Sequence, residues 1–179
     1  AGRVVPFLND EATVNDPRLA YIGRQDRKEW NDLRDRLLKE SPPEFWALHR
    51  AAYQEKMAIT REYHRDGVSI LGGTDAGGPP FVIPGFDLHN ELAALVGAGF
   101  TPLEALQSVT LDAAQVLGRT DDFGTVANGK AADLILLDAN PLDDIRNTQK
   151  IHAVVVQGKY LDRAALDGLL AHAKESAGR

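Results

Sequence analysis

The run Val68-Ser69-Ile70-Leu71-Gly72-Gly73-Thr74-Asp75-Ala76-Gly77 places one carboxylate, Asp75, just past a short, mostly apolar segment. An apolar run bounded by glycine reads as a central strand of a parallel sheet. In such folds ligands collect at the carboxyl ends of the strands. A carboxylate there can bind a divalent metal, take a proton from metal-bound water, or do both. The same residue can also be a plain turn or helix cap beside Gly77-Gly78-Pro79-Pro80. The local sequence leaves both roles open.

The histidines are the other candidates. His49 and His64 lie on a long helical pattern, His152 precedes a β run and His172 falls in a terminal helix. None has a partner at ligand spacing, so each reads as structural. His89 differs, because it lies where the loop after Asp75 re-enters a helix. There it can touch substrate or orient the loop. Gly77, Gly78 and Gly85 permit a flexible loop. Neither G-x-x-x-x-G-K-[ST] nor G-x-G-x-x-G occurs, so phosphate-cradle chemistry is not indicated. Thr74 reads as a structural hydroxyl, and Lys130 as part of a β unit.

Positioning these residues requires a framework. Val4 to Leu8 reads as a short strand, and Asn15-Asp16-Pro17 as a turn signal within a loop. Trp30, Leu33, Leu37 and Leu38 recur at helical spacing within Asp26 to Lys39. Ser41-Pro42-Pro43-Glu44 opens a longer helix that Gly67 ends. With Val68 to Leu71 as the next strand, the order is strand, helix, strand, the βαβ pattern of a parallel sheet. Leu88 to Val96 is helical. Thr101-Pro102-Leu103-Glu104 is a capping box, and Thr110 caps a further helix over Leu111 to Leu117. From about residue 122 the texture becomes β. Ala132 to Asp138 and Val154-Val155-Val156 read as strands, Gly158 as a turn, and Asp162 starts a last amphipathic helix.

The chain has 179 residues, 44% of them apolar, enough for one ordinary domain with a sizeable core. Its formal charge of −6 comes from interleaved signs, with no basic footprint for nucleic acid. No apolar run approaches the roughly 20 residues of a membrane span. Absence of cysteine excludes disulfides and thiolate metal sites and leaves the compartment unknown. The first residue is Ala and the apolar run at Val4 begins almost at once. The N-terminus therefore reads as a cut, so absence of a targeting signal is uninformative.

Four stretches together resemble the C-terminal part of the amidohydrolase superfamily, most closely its imidazolonepropionase-like and prolidase-like members. They are Gly73 to Gly77; Phe86-Asp87-Leu88-His89-Asn90-Glu91-Leu92 leading into Ala98 to Leu106; Gly124-Thr125-Val126 with Gly129 to Leu134; and Asn140-Pro141-Leu142 followed by Val154 to Lys159. The resemblance covers residues 1 to about 165. It implies an α/β fold, the C-terminal portion of a (β/α)₈ TIM-like barrel over 1–121. Part of a small β-sandwich with a terminal helix would occupy 122–179. By that analogy Val4 to Leu8 is the seventh barrel strand and Val68 to Leu71 the eighth. Asp75 matches the family's metal-binding, proton-shuttling aspartate, and His89 matches a family histidine with a candidate substrate-binding role. The implied cofactor is a divalent metal, zinc by family habit, as one or two ions.

The departures are equally informative. The family's His-x-His pair, its Lys or Glu, and two later histidines would all lie before residue 1, and no His-x-His occurs. A full barrel needs about 250 residues, and Asp75 alone cannot hold a catalytic metal. The expectation is a C-terminal fragment of a metal-dependent amidohydrolase that cleaves C–N bonds of cyclic amides or dipeptides, inactive by itself. Its partners would be a small amide or peptide substrate and the missing N-terminal barrel half. Homo-oligomerisation is left open. The alternatives are a non-catalytic α/β interaction module and one subunit of a split hydrolase.

Overall fold

The computed structural model describes residues 5–179, and the side chains from Pro6 onward. In chain order, a 3-10 turn at Val5–Phe7 is followed by α1 (Glu11–Val14), a 3-10 turn at Pro17–Tyr21, α2 (Arg24–Glu40) and α3 (Pro43–Arg65). Then come α4 (Phe86–Gly97), α5 (Pro102–Ser108) and α6 (Leu111–Val116). The remainder holds β1 (Leu134–Leu137), a 3-10 turn at Ile145–Gln149, β2 (Ile151–Val156), β3 (Lys159–Leu161) and α7 (Arg163–Ala177). Helix and strand are mixed, as an α/β chain requires. No helix among the described residues is long and apolar enough to cross a membrane.

Two compact units divide the chain. The first holds residues up to Ile59, Thr74–Asp87 and Ala171–Arg179; the second holds Thr60–Gly73 and Leu88–Leu170. In the first unit Leu8, Trp46, Phe81 and Val82 form the core, with Leu19, Trp30, Leu37 and Phe45 packed against them. In the second unit Leu92, Leu95, Ala98, Phe100, Ala105 and Ala153 are among the buried apolar residues.

Both runs read as barrel strands take other forms. Val4 lies outside the described residues, and Val5–Phe7 is a 3-10 turn rather than a strand. Pro6 has no N–H to give to a ladder and its ring fixes φ, which favours a turn. Val68 to Leu71 forms no strand and leaves Val68 50% and Leu71 42% exposed. A parallel strand is held by neighbours on either side. Among the described residues the only sheet is the antiparallel β1-β2-β3, so the βαβ expectation is not met.

The helix boundaries follow local chemistry. α3 starts at Pro43, where a missing N–H costs nothing. It stops where Val68 N–H reaches back to the Tyr63 carbonyl at 2.9 Å over Gly67, whose φ is +77°. A residue with a Cβ is disfavoured in that left-handed position. The capping box at α5 has both arms: Glu104 N–H donates to Thr101 Oγ1 at 3.2 Å, and Thr101 N–H to Glu104 Oε2 at 2.7 Å. Thr110 stands at the N-cap of α6 but does not cap with its side chain. Its hydroxyl donates instead to the Leu106 carbonyl at 2.7 Å, closing the end of α5.

In the sheet, β1 pairs antiparallel with β2 (Leu134 opposite Val155) and β2 with β3 (Val156 opposite Lys159). Gln157 and Gly158 both have positive φ, matching the two-residue turn that fits strand twist. β3 is too short and too polar to announce itself in the sequence. Lys130 Nζ donates to Thr125 Oγ1 at 2.6 Å and to the Phe123 carbonyl at 3.3 Å, a structural role.

Candidate active site

The segment carrying Asp75 is a tight strap. Thr74 Oγ1 accepts from Ala76 N–H at 3.2 Å, and the Asp75 carbonyl accepts from Gly78 N–H at 3.2 Å. Thr74 therefore shapes the turn. Asp75 has a φ of +57°, a left-handed conformation uncommon outside glycine, which aspartate tolerates better than most residues. Its side chain is exposed, and among the described residues its carboxylate receives no hydrogen bond. A capping aspartate would accept a nearby backbone N–H. Asp75 does not, so capping does not account for it.

Three residues upstream, the chain reaches the strap through a close approach. A Cβ added at Gly72 would sit 2.6 Å from Val109 Cγ1, 3.1 Å from Ser108 Oγ and 3.3 Å from Leu95 Cδ1. Only a glycine lets the backbone lie that near the side chains of α4 and α5.

His89 belongs to the second unit, on α4, and is half-buried. Its Nδ1 lies 3.0 Å from Thr148 Oγ1. Thr148 is 7% exposed and gives its one hydroxyl proton to the Ile145 carbonyl at 2.8 Å. Thr148 can then only accept from the ring, so Nδ1 carries a hydrogen. The contact ties α4 to the Ile145–Gln149 turn and orients the ring.

Three further histidines are engaged locally. His64 stacks on Phe100 at 3.8 Å and its Nε2 lies 3.5 Å from Glu104 Oε2. The Thr101 amide and hydroxyl, and then His64, hold the Glu104 carboxyl below its ordinary range. His152 Nδ1 sits 2.8 Å from Asp138 Oδ1. Phe45 and His49 have ring centroids 4.3 Å apart. Among the described residues no three His, Cys, Asp or Glu side chains come together to hold a metal. The donor set described here does not fit a metal site; Asp75 offers one ligand position at most.

Asp87 has a structural role that the sequence analysis passes over. It is 4% exposed, and its Oδ2 accepts from Ile83 N–H at 2.5 Å while its own N–H donates to the Ile83 carbonyl at 3.0 Å. This reciprocal pair fixes the entry to α4. An aspartate in the first turn of a helix is the sequence signal for it.

Residues 28–161 match the sequence profile of the amidohydrolase family. An ochratoxinase of Aspergillus niger is 36% identical over 120 residues, covering 66% of this chain and 23% of that protein. An imidazolonepropionase of Caldanaerobacter subterraneus subsp. tengcongensis is 50% identical over 87 residues, 48% of this chain and 20% of its own. Among solved structures, a bottromycin amidohydrolase superposes with a TM-score of 0.75 at 28% identity, covering 94% of this chain and 37% of that one. The chain belongs to the amidohydrolase family. The matched stretches span under a quarter of the ochratoxinase and the imidazolonepropionase and 37% of the bottromycin amidohydrolase.

Proposed function

We propose that this chain is the C-terminal part of a metal-dependent amidohydrolase barrel that hydrolyses C–N bonds of cyclic amides or dipeptides. Asp75 is its proton-carrying carboxylate. One observation carries this reading: Asp75 follows the apolar run, exposed, its carboxylate without a hydrogen bond among the described residues, in a backbone conformation that costs energy. A carboxylate held that way is free to accept a proton and return it. Family membership and the hydrolase names of the relatives support the reaction class.

In the complete protein a divalent metal, zinc by family habit, would supply an acidified water and polarise the scissile carbonyl. The described residues do not by themselves complete that site. Asp75 contributes what its own oxygens can do. It accepts the proton released as water attacks, then delivers it to the departing nitrogen. His89, held by Thr148 at Nδ1, is the candidate substrate-binding histidine.

The test is Asp75→Asn in the complete protein. Asparagine keeps the shape and one oxygen but cannot shuttle the proton. Turnover should fall by about 10²–10⁴-fold, with the fold unchanged by circular dichroism. Near-wild-type kcat in that variant would make Asp75 a spectator. Calorimetric titration of the 179-residue chain with zinc should show no tight binding and no amide hydrolysis.

A further inference from the structure

The first unit contains a cavity of about 330 Å³ to which neither Asp75 nor His89 contributes. Its walls include Asn15, Leu19, Arg27, Trp30, Asn31 and Phe81. The volume is at the small end of ligand pockets, suited to a single-ring compound. We propose that it binds a small aromatic carboxylate, with Arg27 anchoring the carboxylate and the Trp30–Phe81 wall receiving the ring. The proposal does not depend on the role of Asp75.

Three observations define that chemistry. First, Arg27 Nε is buried and has no hydrogen-bond partner among the described residues. A buried donor on a charged group is costly to leave unmade and is satisfied by an incoming acceptor. The guanidinium fork matches a carboxylate's two oxygens.

Second, the cavity's only acidic wall residue is already neutralised. Asp16 Oδ1 accepts from Arg18 N–H and Nε at 2.9 Å each, and Oδ2 from Nε at 3.0 Å and Nη2 at 2.5 Å. With Asp16 paired to Arg18, Arg27 is the charged wall residue that has no ion pair among the described residues. The site selects an anion, with the Asn15 and Asn31 amides available as neutral polar contacts.

Third, the aromatic wall is built at some expense. Phe81 is 6% exposed and has a φ of +60°, a left-handed backbone rare for a bulky side chain. Its ring lies against Trp30 with centroids 5.4 Å apart and planes tilted by 41°. That spacing leaves no room for a third ring between them, since contact on both faces needs about 7 Å. An incoming ring therefore packs beside Trp30, a half-buried wall residue, and not between the two rings. Non-glycine strain of this kind concentrates at binding sites.

The test titrates the protein with phenylacetate and, separately, with phenylacetamide, its neutral isostere. Binding is followed by tryptophan fluorescence and calorimetry. Phenylacetate should bind with a Kd of about 0.1–1 mM. Phenylacetamide should bind at least about tenfold more weakly, a comparison that needs no mutation. Arg27→Lys keeps the charge and the stem but lacks Nε–H and the planar fork, and should also lose about tenfold. Equal affinity for the two compounds, unchanged binding in Arg27→Lys, or no phenylacetate binding at about 10 mM to protein that is folded by circular dichroism would each overturn the assignment.

Discussion

Asp87 allows a quantitative test of what holds the Asp75 loop to the following helix. Its carboxylate accepts the Ile83 amide at 2.5 Å, and both residues are almost fully buried, at 4% and 3% exposure. Asp87→Ala removes the acceptor and leaves the Ile83 N–H orphaned away from water. A hydrogen bond to a charged group contributes about 1.5–3 kcal/mol, most of it lost when the partner stays buried and unmatched. Asp87→Asn keeps an acceptor oxygen of the same shape but makes the bond neutral, which is about half as strong. The expected losses are about 2–3 kcal/mol for Ala and about 1 kcal/mol for Asn. In a chain of this length each kcal/mol lowers Tm by about 2–4 °C. Urea and thermal melts of the three proteins measure the ladder directly. Two variants within about 0.5 kcal/mol of wild type would show that Ile83 finds another acceptor and that Asp87 is not the tether.

Two further outcomes follow from single contacts. Gly72→Ala drives a Cβ to 2.6 Å from Val109 Cγ1 and should cost about 1–3 kcal/mol through overpacking. Adding Val109→Ala should recover much of that loss in urea melts, and no recovery would mean the damage lies in the backbone. The Arg18 guanidinium holds the Asp16 carboxyl below its ordinary range, opposed in part by burial. A lowered folded-state pKa contributes stability that is complete above the unfolded value, near pH 4. It is lost as pH falls through the lower folded value. Tm measured from pH 5 down to pH 2 should therefore drop more steeply in wild type than in Asp16→Asn; matching acid limbs would exclude this pair as the cause.

The sequence by itself determined the elements whose physics is local. Thr101 and Glu104 satisfy each other's backbone amides within one turn, so the start of α5 was legible. Pro43 and Gly67 bracket α3 for equally local reasons of φ and missing N–H. The order of four short motifs identified the family, because each motif is a run of neighbouring residues. Only the tertiary structure decided the rest. Val68 to Leu71 has a strand's composition, yet a strand exists only where partners supply hydrogen bonds, and among the described residues none pairs with it. Thr110 looks like a cap, but its hydroxyl found the Leu106 carbonyl first. Asp75 reads equally as cap or functional group in the sequence; only the structure shows that among the described residues its carboxylate receives no hydrogen bond. The Nε of Arg27, without a partner among the described residues, has no sequence signature, because burial and satisfaction depend on side chains brought together from distant positions.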